Sequence, residues 1–338
     1  MKRRLLPLLL LGAIFSEAQP VKVMVDPAGK SGFITIQEAV NSLPDSSRDD
    51  RVIFVKNGIY REQVYIGKSH VVLQGESREH IIIIGAVADV IYGCEHPGDR
   101  NSGILNLDGN DITIINLTLK NTWGVDQPDS VTIQCQDRKT HEPKAITLKK
   151  TAHQFVLRSF KSTRLKVVDC TILGWGNDAV SPWNENSGMY YFKDCIIQGA
   201  TDFYCPRGAA YAENCTFISL DPGTAAIWHD GHAGKDMKSV FVNCKFTGVH
   251  PYKLGRYHHD AQFFLVNCSF DKNLADAAIY KAASAAPDIL WGTRAYYYNC
   301  HREAGDYEWF RNNMTDATGS PAPSTIDAYW AFGGKWNP

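Results

Sequence analysis

The chain has 338 residues, a formal net charge of −1, nine Cys and 44% apolar residues. A balance this close to neutral excludes a global field for nucleic acid or an anionic membrane, so any attraction to a polyanion has to be local. Once the leader described next is removed, about 320 residues remain, enough for a sizeable core.

Lys2-Arg3-Arg4, the apolar run from Leu5 to Phe15 and Ser16-Glu17-Ala18 have the order of a secretory signal peptide, residues 1–18. The run is too short for a membrane span, and no later stretch approaches ~18 uninterrupted apolar residues. Residues 19–338 read as one exported, soluble, monomeric domain, periplasmic or secreted. Phe33 to Val40 reads as a strand-like start into a short helix ending before Pro44, a cap for the open end of a repeat fold. Arg51–Val55 is a buried strand, and Gly58 to Val64 a turn into the next. Val71–Gly75, Ile81–Gly85 and Ile112–Asn121 continue the rhythm. Residues 86–103 and 122–146 are long, polar and irregular, placed to wall a cleft.

A phrase then recurs: apolar or aromatic residues, Asn or Asp, Cys, and a strand-like pair. It is carried by Asp169-Cys170, Asp194-Cys195, Asn214-Cys215, Asn243-Cys244, Asn267-Cys268 and, more weakly, Asn299-Cys300. The Cys-to-Cys steps are 25, 20, 29, 24 and 32 residues. Such a period marks a solenoid, and the β-branched and aromatic surroundings make its unit a strand. The expected fold is all-β, a parallel β-helix with a short N-terminal capping helix and long loops forming a cleft. An exported chain with many Cys suggests disulfides. Here the shared phase makes the ladder Cys a stack of small, reduced core residues. Cys94 and Cys135 stand outside it, with their state open. No CxxC or Cys/His spacing suggests zinc. Asp276 to Ala283 reads as a helix or loop, and Thr318 to Ser324 as a flexible connector to the aromatic end at Tyr329, Trp330, Phe332 and Trp336.

Stacked coils bring together residues that are far apart in sequence. Asp178 follows Cys170 by eight residues and Asp202 follows Cys195 by seven. In register they lie about 4.8 Å apart, on neighbouring strands. Two carboxylates so close do not both ionise easily and divide into an acid and a base or nucleophile. Spacing alone leaves open two solvated turn residues. Arg256 is two coils beyond Asp202 and suits an ion pair that keeps one carboxylate charged. Gln154 on the preceding coil, and Asn177 beside Asp178, offer amide N–H groups to an oxyanion. Each of these alone reads first as an ordinary ladder or surface residue.

These residues resemble the pectin methylesterases, over most of the mature chain and in an exported, bacterial type. The opening Val25-Asp26 through Phe33 to Val40, Gly58-Ile59-Tyr60-Arg61-Glu62, Asn116 to Thr122, His153 to Arg158, Gly199-Ala200-Thr201-Asp202-Phe203 and Leu254-Gly255-Arg256 are similar to the family's motifs. The resemblance implies a right-handed β-helix that hydrolyses galacturonate methyl esters in pectin (homogalacturonan) without metal or cofactor. It implies Asp202 as nucleophile, Asp178 as general acid and then base, Gln154 and Asn177 as oxyanion holders, and Arg256 as the group that fixes Asp202. This chain departs at Asn177, where the family has Gln, at Tyr204-Cys205-Pro206 and at Tyr257-His258, where it has Pro-Trp. Sugar contacts then fall to Phe203, Tyr257, His258, Trp228 or Trp291, with core packing the alternative for each Trp. A thiol nucleophile at Cys205 is the rival within the site, and strict strand alternation would turn it to the core. His229 and His232 read as solvated loop residues or as a metal or acid–base pair. A polygalacturonase, a pectate lyase and a non-catalytic glycan-binding solenoid are the rival functions.

Overall fold

The computed structural model describes residues 21–125, 127–136, 142–224, 226–230, 234–259, 261–283 and 293–338. The leader, residues 1–18, lies outside them. The described strands form a right-handed parallel β-helix with three long faces. The first face is a ten-stranded sheet running from Lys22–Val25 to Thr293–Tyr298, and the second a nine-stranded sheet from Gly58–Tyr60 to His301–Arg302. The third face starts at Val64–Ile66 and continues through Leu105–Leu107, Leu157–Ser159 and Val180–Pro182. A bridge from Val180 to Tyr204 and another from Tyr204 to Trp228 carry it on to Ala226–Asp230, Lys253–Tyr257 and Tyr280–Lys281. Tyr280 and Lys281 therefore form a strand where the sequence suggested a helix or loop. The period had become too weak there to show it.

The repeated phrase is the corner between the first and second sheets. Val168, Lys193, Glu213, Val242, Val266 and Tyr298 are register partners on successive coils. The next residue of each coil turns the chain with a positive φ: Asp169, Asp194, Asn214, Asn243, Asn267 and Asn299 all lie at 50–54°. Asn and Asp tolerate this left-handed conformation better than other residues with a Cβ, so the corner selects them. Their side chains also bond coil to coil, as in Asn267 Nδ2 to Asn243 Oδ1 (3.1 Å) and Asn299 Nδ2 to Asn267 Oδ1 (2.9 Å). The following Cys points inward. All seven free Cys are buried, and Cys195 and Cys244 donate to carbonyls of the preceding coil.

The interior changes along its length. Early coils fill it with Ile53, Leu73, Ile83, Ile114 and Leu119, later ones with Phe192, Tyr204, Phe217, Trp228, Phe241 and Phe246. Burying each such side chain contributes roughly 1.5–3 kcal/mol. One end is closed by α1 (Ile36–Ser42), which buries Ile36, Ala39 and Val40. Thr35 and Glu38 form a capping box at its start. Glu62 adds to this cap, accepting from Ile36 N–H (2.9 Å) and Gln37 N–H (3.0 Å). The Gly-x-Tyr-x-Glu segment thus anchors the capping helix.

The two long segments are more ordered than their composition suggested. The first holds α2 (Asp89–Glu95), and the second an antiparallel hairpin of Ser130–Gln136 and Pro143–Lys149. A disulfide joins Cys94 to Cys135. Ala88, Trp123 and Leu148, with Ile91, Ile133 and Ile146, form a small core beneath them. The loops therefore make one cross-linked wall. No helix among the described residues is long and apolar enough to cross a membrane.

Candidate active site

Asp178 and Asp202 each stand two residues before the bridged pair Val180 and Tyr204. They occupy adjacent coils, one strand spacing of about 4.8 Å apart. Both have positive φ, 56° and 50°, and both are 5% exposed. The Asp202 N–H donates to the Ala226 carbonyl at 2.8 Å, which locks it to the next coil.

Arg256 reaches Asp202 from the strand Lys253–Tyr257. Its Nε lies 3.1 Å from both carboxylate oxygens, and Nη2 also donates to Oδ2. Trp228 packs beneath this strand, and a Cβ on Gly255 would lie 2.3 Å from its ring. Only glycine lets the backbone pass there and present Arg256 at this height. Tyr280, the register partner of Arg256, is a half-buried neighbour that the sequence did not reveal. Burial raises its phenol pKa, with Arg256 opposing and Asp202 adding to the rise.

Asp178 has a cation of its own. Arg207 Nη2 lies 3.5 Å from its Oδ2, and His153 Nε2 lies 3.6 Å from Oδ1. Arg207 also donates to Ser181 Oγ (2.9 Å) and lies 4.2 Å over the Trp183 ring. Burial works against its charge, but Cys205 and Asp178 outweigh burial and raise its pKa. Asp202 itself is pushed above its ordinary value by burial. The Arg256 hydrogen bonds pull it back part of the way, and the Asp178 charge pushes in the same direction as burial. Both carboxylates are thus held in a desolvated pair with a guanidinium on each flank.

Several expected contacts fall elsewhere. Gln154 is fully buried. Its Nε2 donates to the Lys150 (2.6 Å) and Ala152 (3.3 Å) carbonyls, and its Oε1 accepts from Gly124 N–H (3.0 Å). Both amide hydrogens are therefore spent on the base of the hairpin wall, and in this placement no donor is left for an oxyanion. Asn177 is half-buried beside Asp178, and its Oδ1 accepts from Thr201 N–H (3.1 Å). Phe203, Trp228 and Tyr257 belong to the hydrophobic core, at 0%, 1% and 9% exposure, which corrects their reading as sugar contacts. Inward positions of a sheet bury an aromatic ring regardless of how near it lies to the site. His258 stays half-exposed at the end of the Arg256 strand. Trp291 and His232 lie outside the described residues, as does the His229 side chain.

Cys205 also differs from expectation. It is fully buried, yet it contacts Arg207 Nη1 (3.8 Å) rather than the core. The left-handed turn at Asp202 breaks strict alternation, so counting offsets across it assigns the wrong face. Burial pushes its thiol far above the ordinary range, with Asp178 adding to the effect. A thiolate nucleophile is disfavoured there.

Known proteins share this chain's fold and part of its sequence. Residues 22–175 match the family model described as Pectinesterase. Over this part of its length the chain is similar to the pectinesterase family. Over 242 residues it is 27% identical to putative pectinesterase 11 of Arabidopsis thaliana, covering 70% of this chain and 58% of that protein. Probable pectinesterase 8 of the same plant is 27% identical over 246 residues, 69% of this chain and 55% of that one. The chain thus spans little more than half the length of these relatives. Among solved structures, a pectin methylesterase in complex with a hexasaccharide superposes with a TM-score of 0.72 at 20% identity, covering 95% of this chain and 99% of that one. The pectin methylesterase PemA from Erwinia chrysanthemi gives 0.70 at 19% identity, covering 96% and 99%. At that identity the likeness is one of fold.

Proposed function

We propose that this chain is an exported pectinesterase that hydrolyses methyl esters of galacturonate residues in pectin, with residues 19–338 acting as one domain. The observation that carries the reading is the paired grip of Arg256 on Asp202, one coil from Asp178. A buried carboxylate held at both oxygens is oriented, and its neighbour is close enough to pass a proton.

In the first step an Asp202 oxygen attacks the ester carbonyl carbon. The tetrahedral intermediate collapses as methoxide takes the proton from Asp178. Methanol leaves, and an acyl anhydride joins Asp202 to the galacturonate. In the second step Asp178, now a carboxylate, takes a proton from water as its oxygen attacks the anhydride. Galacturonic acid leaves and loses its proton to solvent, Asp202 is again a carboxylate, and Asp178 is again protonated. Arg256 keeps Asp202 ionised despite burial. Arg207 Nη2, 3.5 Å from Asp178 Oδ2, gives the general acid a cation of its own.

Replacing Asp202 with Asn preserves shape and tolerance for positive φ but removes the nucleophile. Methanol release from methyl-esterified pectin should fall by about three orders of magnitude or more, with the folded signal of circular dichroism intact. Release at the wild-type rate overturns the assignment.

A further inference from the structure

The turn that carries Asp202 is gripped from the next coil by a carboxylate the reaction does not use. Gly199 is the register partner of Ser219, and the Leu220 N–H donates to the Gly199 carbonyl at 2.8 Å. Two residues further along each coil, Thr201 stands against Asp221. Their separation of 20 residues is the step from Cys195 to Cys215. The ladder that brings Asp178 to Asp202 therefore also brings Asp221 to Thr201. Asp221 follows the strand Thr216–Ser219 and is 9% exposed.

Each Asp221 oxygen has its own donor. Oδ2 accepts from the Thr201 hydroxyl at 2.6 Å, and Oδ1 accepts from the Gly223 N–H at 2.6 Å. Burying a carboxylate costs free energy unless its oxygens are bonded, and here the bonds go to residues that fix Asp202. Thr201 is tied on its other side as well. Its N–H donates to Asn177 Oδ1 (3.1 Å), and its carbonyl accepts from the Asp178 N–H (3.4 Å). Asp202 is next in the chain, and its own N–H goes to the Ala226 carbonyl at 2.8 Å. Ala226 lies three residues beyond Gly223, where the turn closed by Asp221 ends. Asp221 thus acts on Asp202 from two directions, through the residue before it and through the carbonyl that receives its N–H.

We propose that Asp221 is a positioning residue for the nucleophile, acting through the Thr201 hydroxyl and the turn to Ala226. Asp202 sits at φ 50°, in the left-handed region that residues with a Cβ seldom occupy, so its turn needs fastening from outside. A nucleophile loses rate steeply when it drifts, about a hundredfold for 1 Å. The inference rests on the esterase reading, and it gives Asp221 no contact with substrate.

Thr201→Val keeps the β-branched shape and removes the hydroxyl. It should lower kcat about tenfold with KM little moved, the mark of geometry lost in the transition state and not in binding. Thr201→Ser returns the hydroxyl and should recover most of that loss. Asp221→Ala should cost at least as much as Thr201→Val, and adding Thr201→Val to it should cost less than about twofold more, because the two share one bond. A hydroxyl that served stability alone would lower the melting temperature and leave kcat per folded molecule unchanged. That result overturns the proposal, as does a Ser variant no better than Val, or two single losses that simply add. Hydrogen exchange of a peptide spanning residues 196–205, followed by mass spectrometry, reads the turn without turnover. Thr201→Val should speed that exchange while the first sheet stays protected. A wild type that releases no methanol refutes the esterase reading, and exchange then decides the grip by itself. Faster exchange in Thr201→Val, restored in Thr201→Ser, supports it, and unchanged exchange overturns it.

Discussion

The same backbone device appears at two places in this molecule with opposite consequences. At the corner between the first two sheets, Asn and Asp turn each coil at positive φ, stand toward solvent and bond to one another. At the entrance to the third sheet, Asp178 and Asp202 turn at nearly the same φ, but each carboxylate is 5% exposed and faces a guanidinium. Asp169 at the first corner keeps a side chain 48% exposed. The conformation explains why Asn or Asp stands at each place. Asp169 also meets a cation, Arg78 Nη1 at 2.9 Å, so what separates scaffold from chemistry is the desolvation of the carboxylate.

The comparison breaks most visibly at Asp202. Asn is the residue the first corner uses freely, so Asp202→Asn should leave the fold intact and remove the activity. Arg256→Gln comes next. It leaves Asp202 buried but unoriented, and kcat/KM should fall about a hundredfold. The acid limb of the profile sharpens the test. Burial already raises Asp202 above its ordinary 3.8, and Arg256 lowers it. The nucleophile must be ionised, so activity is lost as pH falls through the folded-state value. Without Arg256 that limb should move to higher pH. A limb that stays in place would show that Arg256 does not set the charge of Asp202. Arg207→Gln should act more weakly. It removes the guanidinium 3.5 Å from Asp178 and leaves the general acid less well held, so kcat should fall only a few-fold, at the weak end for a general-acid contribution.

Most of the scaffold was legible because the solenoid repeats its demands. Every coil needs a left-handed corner and a small inward residue after it, so Asn/Asp-Cys returns and fixes the register that brings Asp178 to Asp202. Arg256 was legible from the same register. What the sequence hid depends on single events. The turn at Asp202 shifts facing by one, which placed Cys205 wrongly and concealed Arg207 as the partner of Asp178. Trp228 near the site reads alike as core or sugar platform until its depth is known. Tyr280 lies where the period fades. Cys94 and Cys135, 41 residues apart, meet only because two loops with no repeat of their own converge. Gln154 shows the limit of a motif. The residue is in place, but its amide is engaged by the Lys150 and Ala152 carbonyls.

The smallest effect should come from the corner that does no chemistry. Asn267 lies at φ 53°, donates to Asn243 and accepts from Asn299. Asn267→Ala puts an unsuited residue in the left-handed region and cuts two exposed ladder bonds, for about 2 kcal/mol together. Asn267→Gly removes the same bonds but relieves the backbone, so it should recover much of that loss despite its greater unfolded-state entropy. Thermal melts of the two variants separate strain from ladder bonding. If Gly is no better than Ala, the side-chain ladder, not the conformation, is what the corner requires. Methanol release per folded molecule should stay within about twofold in both, because additivity holds for sites that share no partners. A large loss of turnover would instead mean that the two corners are mechanically coupled through the coil.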